Sequence, residues 1–429
     1  MMSTIHKIKI NYDDMMMYVE ALSNKPYTIF LDSNRPSHPN NIWSILCWSP
    51  VTTYTKDKNI GAHAYLDLLK NALQNHQFKV DNNEYPFIGG LMGFFSYDFG
   101  CELQNLPHKK QTSETDSACF SLYSNTMLFN HKTKEAVCFT TNPTVIQEIK
   151  QSPLADDNTP TQKIDWQYST NDKKYQSDTV ILKEKIYNGD FYQINLTRQL
   201  SSPKPTHFNS FNHYKKLRAS NTAPFSAFMN CGTYQLLCNS PERFIKSDGI
   251  NIETKPIKGT LPSSQDKTNL QKDIKERAEN TMIVDLMRND LSQNCKPHSV
   301  RVPNLCAIET FENIHHLVST VTGEISPNTS IFDILKDCLP GGSITGAPKI
   351  AAMQAINAIE PEARGPYCGS LGYIGFNNKA DFNILIRTLI ATPDKLIVNT
   401  GGGIVSDSDP EKELQETKDK IHKILESFK

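Results

Sequence analysis

Residues 240–260 contain a carboxylate and an amine whose spacing could bring them together. Glu242 precedes, and Lys258 follows, two short predicted strands joined by the turn at residues 247–249. A hairpin brings its two ends together, so the acid and the amine could meet and act on one substrate. The residues alone leave a second interpretation open, in which Lys258 is a solvated lysine beside a turn.

Two further pairs of acids have helical spacing. A predicted helix over residues 268–291 carries two glutamates three residues apart, and a helix that begins after Asp409 carries a second such pair. If the two faces meet, four carboxylates converge, and their repulsion requires a hard cation such as Mg²⁺. Two solvated helix faces are the alternative. The four side chains are Glu276, Glu279, Glu413 and Glu416.

Backbone and arginine features add candidate anion sites. Residues 341–349 form a glycine-rich turn that opens a helix, where free N–H groups could bind a carboxylate. The turn lacks the phosphate-loop pattern, which disfavours nucleotide binding. Residues 401–403, three glycines, predict a second turn. Arg387 lies in a predicted apolar strand over residues 382–390, where the guanidinium needs a carboxylate partner, either internal or from a ligand.

Composition limits the class of protein. The 429 residues include 45 basic and 46 acidic side chains, so neither nucleic acid nor an anionic membrane is an expected partner. The N-terminus lacks the apolar region of a signal peptide, and no run of about 18 apolar residues occurs. The 10 cysteines show no C-x-x-C spacing, which favours reduced thiols over disulfides or zinc. We therefore expect a soluble cytoplasmic protein.

The elements that would position these groups alternate between strand and helix patterns. The glycines of residues 87–99 predict a buried sheet with close backbone approach. We expect a helix over residues 175–188 and a strand over 191–198. Proline and polar residues predict a linker at 151–172 between an N-terminal subdomain, 1–150, and a catalytic domain, 173–429.

Several blocks in the second half of the chain, in one order, resemble the chorismate-utilising enzymes. This family includes the component I chains of anthranilate synthase and aminodeoxychorismate synthase, and the isochorismate and salicylate synthases. The resemblance extends from about residue 173 to the C-terminus and is looser before it. The blocks are residues 191–198, 240–244, 256–260, 278–280 with 285–290, 316–319, 340–349 and 401–420.

The resemblance implies an α+β fold, an antiparallel β-sheet sandwich with surrounding helices like that of anthranilate synthase component I. Within the family the chain most resembles aminodeoxychorismate synthase component I. Lys258 stands where anthranilate synthases have alanine, and Gln193 stands where isochorismate and salicylate synthases have a water-activating lysine. The alternatives are an anthranilate synthase component I and an inactive chain that binds an amidotransferase or an aromatic amino acid.

The resemblance also implies roles. Lys258 would attack C2 of chorismate as a neutral amine, with Glu242 as proton donor. Glu279 and Glu416 would bind Mg²⁺, with Glu276 and Glu413 acting through water. The matched substrate-binding residues are Arg387, Tyr367, His316, Ser343, Thr345, Gly401, Gly402, Gly403 and Lys420.

Two features concern other ligands and partners. The N-terminal region resembles the part of the family that holds tryptophan, with Ser33 as the candidate contact. The sequence has no G-x-C-x-G elbow of a glutamine amidotransferase, so the resemblance implies that a separate amidotransferase subunit supplies ammonia.

Overall fold

The computed structural model describes residues 5–34, 42–76, 84–107, 114–151, 164–311 and 314–428. Over these residues the chain forms two large antiparallel sheets with helices around them. The predicted α+β sandwich is therefore confirmed.

Every described strand pairs antiparallel to its neighbours. In chain order the strands are β1 (His6–Ile10), β2 (Ile29–Asp32), β3 (Trp43–Cys47), β4 (Thr52–Thr55), β5 (Gly90–Phe95), β6 (Ala118–Tyr123), β7 (Thr126–Asn130), β8 (Ala136–Thr140), β9 (Gln167–Tyr168), β10 (Gln193–Pro203), β11 (Phe225–Asn230), β12 (Gln235–Ser240), β13 (Arg243–Ser247), β14 (Asn251–Lys255), β15 (Ile257–Pro262), β16 (Arg301–Phe311), β17 (Ile314–Glu324), β18 (Gly346–Ala347), β19 (Ser370–Gly375), β20 (Ala380–Asn383), β21 (Thr388–Ala391) and β22 (Lys395–Ile404).

The helices cover the outer faces of the sheets. They are α1 (Met15–Ser23), α2 (Ala62–Asn75), α3 (Tyr97–Leu103), α4 (Val145–Lys150), α5 (Asp172–Tyr187), α6 (Ser210–Ser220), α7 (Lys267–Lys272), α8 (Ile274–Ser292), α9 (Ile331–Cys338), α10 (Lys349–Ile359) and α11 (Pro410–Glu426). Within the described ranges, no helix combines the length and apolar character needed to cross a bilayer.

The first sheet has 12 strands in the order β1-β8-β7-β3-β2-β11-β12-β21-β22-β10-β18, with β9 beside β10. The second has 10 strands in the order β15-β17-β14-β13-β20-β19-β5-β6-β4, with β16 beside β17. Because β2 pairs with β11 and β5 with β19, both halves of the chain contribute to both sheets. The predicted division of the chain at residues 151–172 therefore does not divide the sheets. Residues 152–163 of that predicted linker lie outside the described residues.

Alternation along the strands explains the layered core. In β12, Leu236 and Cys238 pack in a cluster shared by both sheets, whereas Leu237 packs against the helices on the opposite face. Side chains of a strand point alternately to its two faces, and here both faces are apolar and buried. The predicted close approach in residues 87–99 is also confirmed, because a Cβ on Gly93 would lie 2.0 Å from the carbonyl oxygen of Cys119.

Three local predictions were wrong. The helix predicted over residues 268–291 is broken at Asp273, whose side chain accepts a hydrogen bond from the Glu276 N–H and begins a new helix, α8. The strand predicted over residues 382–390 is interrupted between β20 and β21, where Arg387 has a left-handed φ of 51°. Residues 401–403 form part of strand β22 and not a turn.

Candidate active site

A hairpin places Glu242 and Lys258 at the same end of the second sheet, as predicted. Strands β13 and β14 pair with Arg243 opposite Lys255, so the residues flanking the hairpin lie close together. Lys258 follows on β15 and pairs with Leu317 of β17. The charge of the Lys258 ammonium acts on the carboxyl of Glu242. The acid and the amine therefore share one cleft.

Glu242 is buried, with 6% of its surface exposed. Burial raises the pKa of its carboxyl to about 7, although a hydrogen bond with Ser343 and the charges of Lys258 and Lys420 act in the opposite direction. A carboxyl with this pKa is partly protonated at neutral pH. It can therefore donate a proton to a leaving group in the cleft.

The two acid-bearing helices face each other across this cleft. Lys275 Nζ of α8 lies 4.0 Å from Glu279 Oε1 of the same helix and 3.8 Å from Glu413 Oε1 of α11. Lys258 Nζ lies 3.9 Å from Glu279 Oε2. The predicted meeting of the two acidic faces is present, and lysine amines lie between the carboxylates.

Burial and mutual repulsion act on these carboxylates. Burial, Glu279 and Asp273 raise the pKa of Glu276 to about 7. Burial also raises the pKa values of Glu279 and Glu413, in each case against the attraction of nearby amines or hydroxyls. For Glu416, burial is outweighed by the Lys420 ammonium at 2.6 Å, so the pKa of Glu416 lies below its usual range.

The three glycines of β22 form one wall of the cleft. They pair with residues 195–197 of β10, with Asn195 opposite Gly403. A Cβ on Gly402 would lie 3.4 Å from Glu413 Oε2, and a Cβ on Gly403 would lie 3.5 Å from Lys258 Nζ. Because glycine has no side chain, the space beside the acids and Lys258, the candidate nucleophile, stays open.

The same cluster is a candidate metal site. Across the described ranges, no group of three His, Cys, Asp or Glu side chains is arranged to hold a metal ion. The donor chemistry nevertheless fits a hard divalent cation, because carboxylate oxygens project from two facing helices and the pKa values of Glu276, Glu279 and Glu413 are raised. Three lysines, Lys258, Lys275 and Lys420, contact these acids in the structure.

Two of the expected substrate contacts, Arg387 and His316, differ in their surroundings: the first has no side-chain partner among the described residues, and the second lies near a backbone carbonyl. The half-buried guanidinium of Arg387 makes no hydrogen bond or ion pair with another described residue, and burial lowers its pKa. An unpaired guanidinium in such a position is available to an anion. His316 is buried on β17, one residue before the partner of Lys258, and its Nδ1 lies 3.4 Å from the carbonyl oxygen of Gly259.

Tyr367, Thr345 and Lys420 make mainly internal contacts. Tyr367 is buried beside Cys368 and Arg364, and burial raises its pKa. The buried Thr345 hydroxyl donates to the carbonyl oxygen of Gly341 at 3.0 Å. Lys420 donates to the carbonyl oxygen of Gly401 at 2.9 Å, in addition to its pairing with an acid of α11. Their roles in substrate binding stay predictions.

A short turn positions Ser343 within hydrogen-bonding distance of Glu242. Residues 342–344 form a 3₁₀ turn, and α10 follows with Pro348 at its N-cap. Asn195 Nδ2 donates to the carbonyl oxygen of Ser343 at 2.8 Å, and Arg364 Nη1 donates to that of Ile344 at 2.8 Å. Strand β10 and a buried guanidinium therefore fix the turn that contacts the candidate acid.

Ser33, the predicted tryptophan contact, lies away from the cleft and directly follows β2 of the first sheet. Its N–H donates to Ser44 Oγ at 3.1 Å. Ser44 Oγ also donates to Asp32, which is buried and paired with Arg218 at 2.6 Å. Tryptophan binding at this network stays a prediction.

Sequence reasoning missed Lys275 and the buried pair Glu360–Arg364. Lys275 had one available signal: it stands in the first turn of a helix, where the helix dipole disfavours a cation. Glu360 and Arg364 are four residues apart, and their oxygen and nitrogen atoms lie 2.7 Å apart. Pro361 follows Glu360 and neither partner lies within a helix, so the burial of this pair had no local signal.

Comparisons with known proteins identify the family. Residues 27–426 match the family of chorismate binding enzymes. Aminodeoxychorismate synthase component 1 of Escherichia coli is 34% identical over 440 residues, covering 97% of this chain and 96% of that protein. Anthranilate synthase component 1 of Lactococcus lactis is 30% identical over 429 residues, covering 92% and 93%.

The fold has a solved relative. The crystal structure of anthranilate synthase component I from Streptococcus pneumoniae superposes with a TM-score of 0.80 and 29% identity, covering 90% of this chain and 92% of that one. The residues that match the family of chorismate binding enzymes, 27–426, include both strands of the glycine wall and both acid-bearing helices. The chain belongs to the chorismate-binding enzyme family.

Proposed function

We propose that this chorismate-utilising enzyme is an aminodeoxychorismate synthase component I. It would convert chorismate and ammonia to 4-amino-4-deoxychorismate for the synthesis of 4-aminobenzoate and folate. The observation that carries the proposal is the amine of Lys258, which lies inside the cleft beside Glu279 and the buried Glu242. The similarity to the Escherichia coli component 1 over nearly the whole chain supports it.

The proposed chemistry uses two displacements. Neutral Lys258 Nζ forms a bond to C2 of chorismate as the C4 hydroxyl leaves, and Glu242 donates the proton that turns the leaving group into water. Ammonia then forms a bond at C4, and the C2–nitrogen bond to Lys258 breaks. The carboxylate of Glu242 takes back one proton from the added ammonia, which restores both side chains.

The residues proposed to hold Mg²⁺ are Glu279 and Glu416, with Glu276 and Glu413 acting through water. When bound, the metal would neutralise the ring carboxylate of chorismate and position it. Replacing Glu279 by Gln should weaken binding of Mn²⁺ used as a Mg²⁺ probe, because one hard anionic ligand is lost. Identical metal titrations for the two proteins would remove this assignment.

Substrate carboxylate binding is proposed for Arg387 and for the backbone of the glycine wall. Arg387 supports this role because its guanidinium makes no hydrogen bond or ion pair with another residue that the structure describes. The other residues proposed to contact the substrate carboxylates are Tyr367, Gly401, Gly402, Gly403 and Lys420. Ser343 and Thr345 are proposed to act from the anion-binding turn, and His316 from the side of the ring.

A separate amidotransferase subunit is the proposed source of ammonia. The name component 1, borne by the Escherichia coli protein, supports a partner chain. The protein alone should then use ammonium salts and not glutamine. Glutamine-dependent turnover by the purified chain would contradict this part of the proposal.

Product identification tests the proposed function. Purified protein is incubated with chorismate, MgCl₂ and ammonium chloride, with and without an added aminodeoxychorismate lyase. We expect an amino-chorismate that becomes 4-aminobenzoate only when the lyase is present. Formation of no amino product would contradict the proposal.

Anthranilate synthase is the second candidate function. The superposition on the Streptococcus pneumoniae protein and the similarity to the Lactococcus lactis protein favour it. It predicts 2-aminobenzoate, which is fluorescent and forms without a lyase. Detection of 2-aminobenzoate as the main product would establish this alternative.

A further inference from the structure

Lys275 links the two acid-bearing helices. Its ammonium lies 4.0 Å from Glu279 on α8 and 3.8 Å from Glu413 on α11. Both distances are at the outer limit of an ion pair, so the amine lies between the two carboxylates and is not bound closely to either. One positive charge therefore bridges the helices that carry the proposed metal ligands.

The position of Lys275 is unfavourable without these acids. It is the second residue of α8, where free N–H groups and the helix dipole repel a cation. Its side chain is 40% exposed, so the ammonium could extend into water instead. It turns toward two carboxylates, which indicates that their combined negative charge determines its location.

The exposure of the two amines beside Glu279 differs. The side chain of Lys258 is 13% exposed and that of Lys275 is 40% exposed. A cation that entered between the carboxylates would repel both ammonium groups. Lys275 has a path to solvent because a long flexible side chain at the edge of the cleft can move there at little cost.

We propose that Lys275 is a displaceable counter-ion, which occupies the space between the two acid-bearing helices without metal and moves into solvent when a divalent cation binds. This proposal rests on the metal site within the proposed function. It is independent of which amino product forms. Lys275 would thereby lower the affinity of the site for the metal. Before the metal binds, its ammonium would hold the two helices together.

The test is metal binding without substrate. Mn²⁺ is titrated into the purified full chain at low ionic strength, with binding followed by electron paramagnetic resonance and calorimetry. Lys275→Met should bind Mn²⁺ about tenfold more tightly than the wild type, because a competing charge is removed. Lys275→Arg should bind no more tightly than the wild type, because it keeps the charge.

Lys272→Met is the matched control. Lys272 is an exposed lysine at the end of the neighbouring helix α7, so this variant makes the same change in net charge away from the acids. It should change the affinity less than twofold. Equal affinities of the wild type and Lys275→Met, or equal gains for Lys275→Met and Lys272→Met, would overturn the proposal.

Thermal unfolding provides a second measurement. Without metal, Lys275→Met should unfold at a lower temperature than the wild type, because the facing carboxylates lose their counter-ion. The increase in unfolding temperature on adding Mn²⁺ should be larger for this variant.

Weaker Mn²⁺ binding by a folded Lys275→Met would overturn the proposal, and absence of binding to all variants would also remove the proposed metal site. A 2-aminobenzoate product would contradict only the proposed function.

Discussion

Two groups of charges in this protein are built differently. In the first sheet, the Asp32 carboxylate accepts hydrogen bonds from Arg218 Nε at 2.6 Å, Tyr214 at 3.0 Å and Ser44 at 3.3 Å. In the cleft, Lys275 and the glutamates around it lie 3.8 to 4.0 Å apart. The first group is a closed network, and the second leaves room between its charges.

The difference indicates which group serves stability and which serves chemistry. A buried carboxylate with several short hydrogen bonds gains nothing from a further ligand. Buried carboxylates with raised pKa values and long contacts are strained by their own charge, and a ligand can relieve that strain. Variants in the cleft should therefore impair turnover more than folding, and variants in the closed network should do the reverse.

Lys258→Ala should have the largest effect. Loss of the proposed nucleophile should lower formation of aminodeoxychorismate roughly a thousandfold or more, with residual product shifted toward 2-aminobenzoate. Product chromatography measures both. The control is Lys255→Ala, which removes an amine that pairs with Glu309 at 3.3 Å and should retain most activity. Unchanged turnover of Lys258→Ala to the same product would contradict the nucleophile role.

Glu242→Gln should lower kcat roughly a hundredfold or more, because an amide cannot donate the proton. In the wild type, burial raises the pKa of Glu242 to about 7, so the protonated donor is present below this pH and lost above it. We expect kcat/KM for chorismate, measured at constant free ammonia, to fall as the pH rises through about 7. A Glu242→Gln enzyme that retains this decline would show that another group causes it.

Asp32→Ala should reduce stability with little change in chemistry. Loss of the carboxylate leaves the partly exposed Arg218 guanidinium without its partner, which should cost about 3 kcal/mol of unfolding free energy. Urea unfolding measures this, and turnover per folded molecule should stay near the wild-type value. The control Asp14→Ala breaks a surface pair with Lys150 and should cost much less. Equal losses for both variants would remove the contrast between the network and the surface.

Arg387→Lys should have the smallest of these effects, about a tenfold rise in KM for chorismate. A lysine keeps the charge but cannot bind a carboxylate through two parallel hydrogen bonds. Both side chains meet the same backbone strain at the left-handed φ of 51°. Steady-state kinetics measure the change. An unchanged KM would show that Arg387 does not bind the substrate carboxylate.

The predictable parts of the site were local in sequence. The spacing of Glu242 and Lys258 around a two-stranded hairpin predicted that they lie close together, because a hairpin brings its own ends together. The three-residue spacing within each acid pair also predicted that the two acids share one face of their helix. The family resemblance provided the roles and the sandwich fold, which periodicity alone left undetermined.

Most of the remaining features of the site depend on contacts between residues that are far apart in the sequence. Three consecutive glycines are typical of a turn, but here they form a strand because they pair with residues 195–197 of β10 in a long antiparallel ladder. Lys275 is separated from Glu413 by more than a hundred residues along the chain, so no local pattern could place them together. The break before α8 had a local signal, since Asp273 and Glu276 have the spacing of an N-cap pair.

The pairing of β10 with β22 has a consequence for how the enzyme is made. These strands are widely separated along the chain, yet they lie side by side and form the glycine wall. A nascent chain that has not yet emerged to residue 404 therefore contains Glu242 and Lys258 but lacks the wall beside them. An N-terminal fragment that ends before residue 401 therefore lacks both this wall and the acid pair of α11.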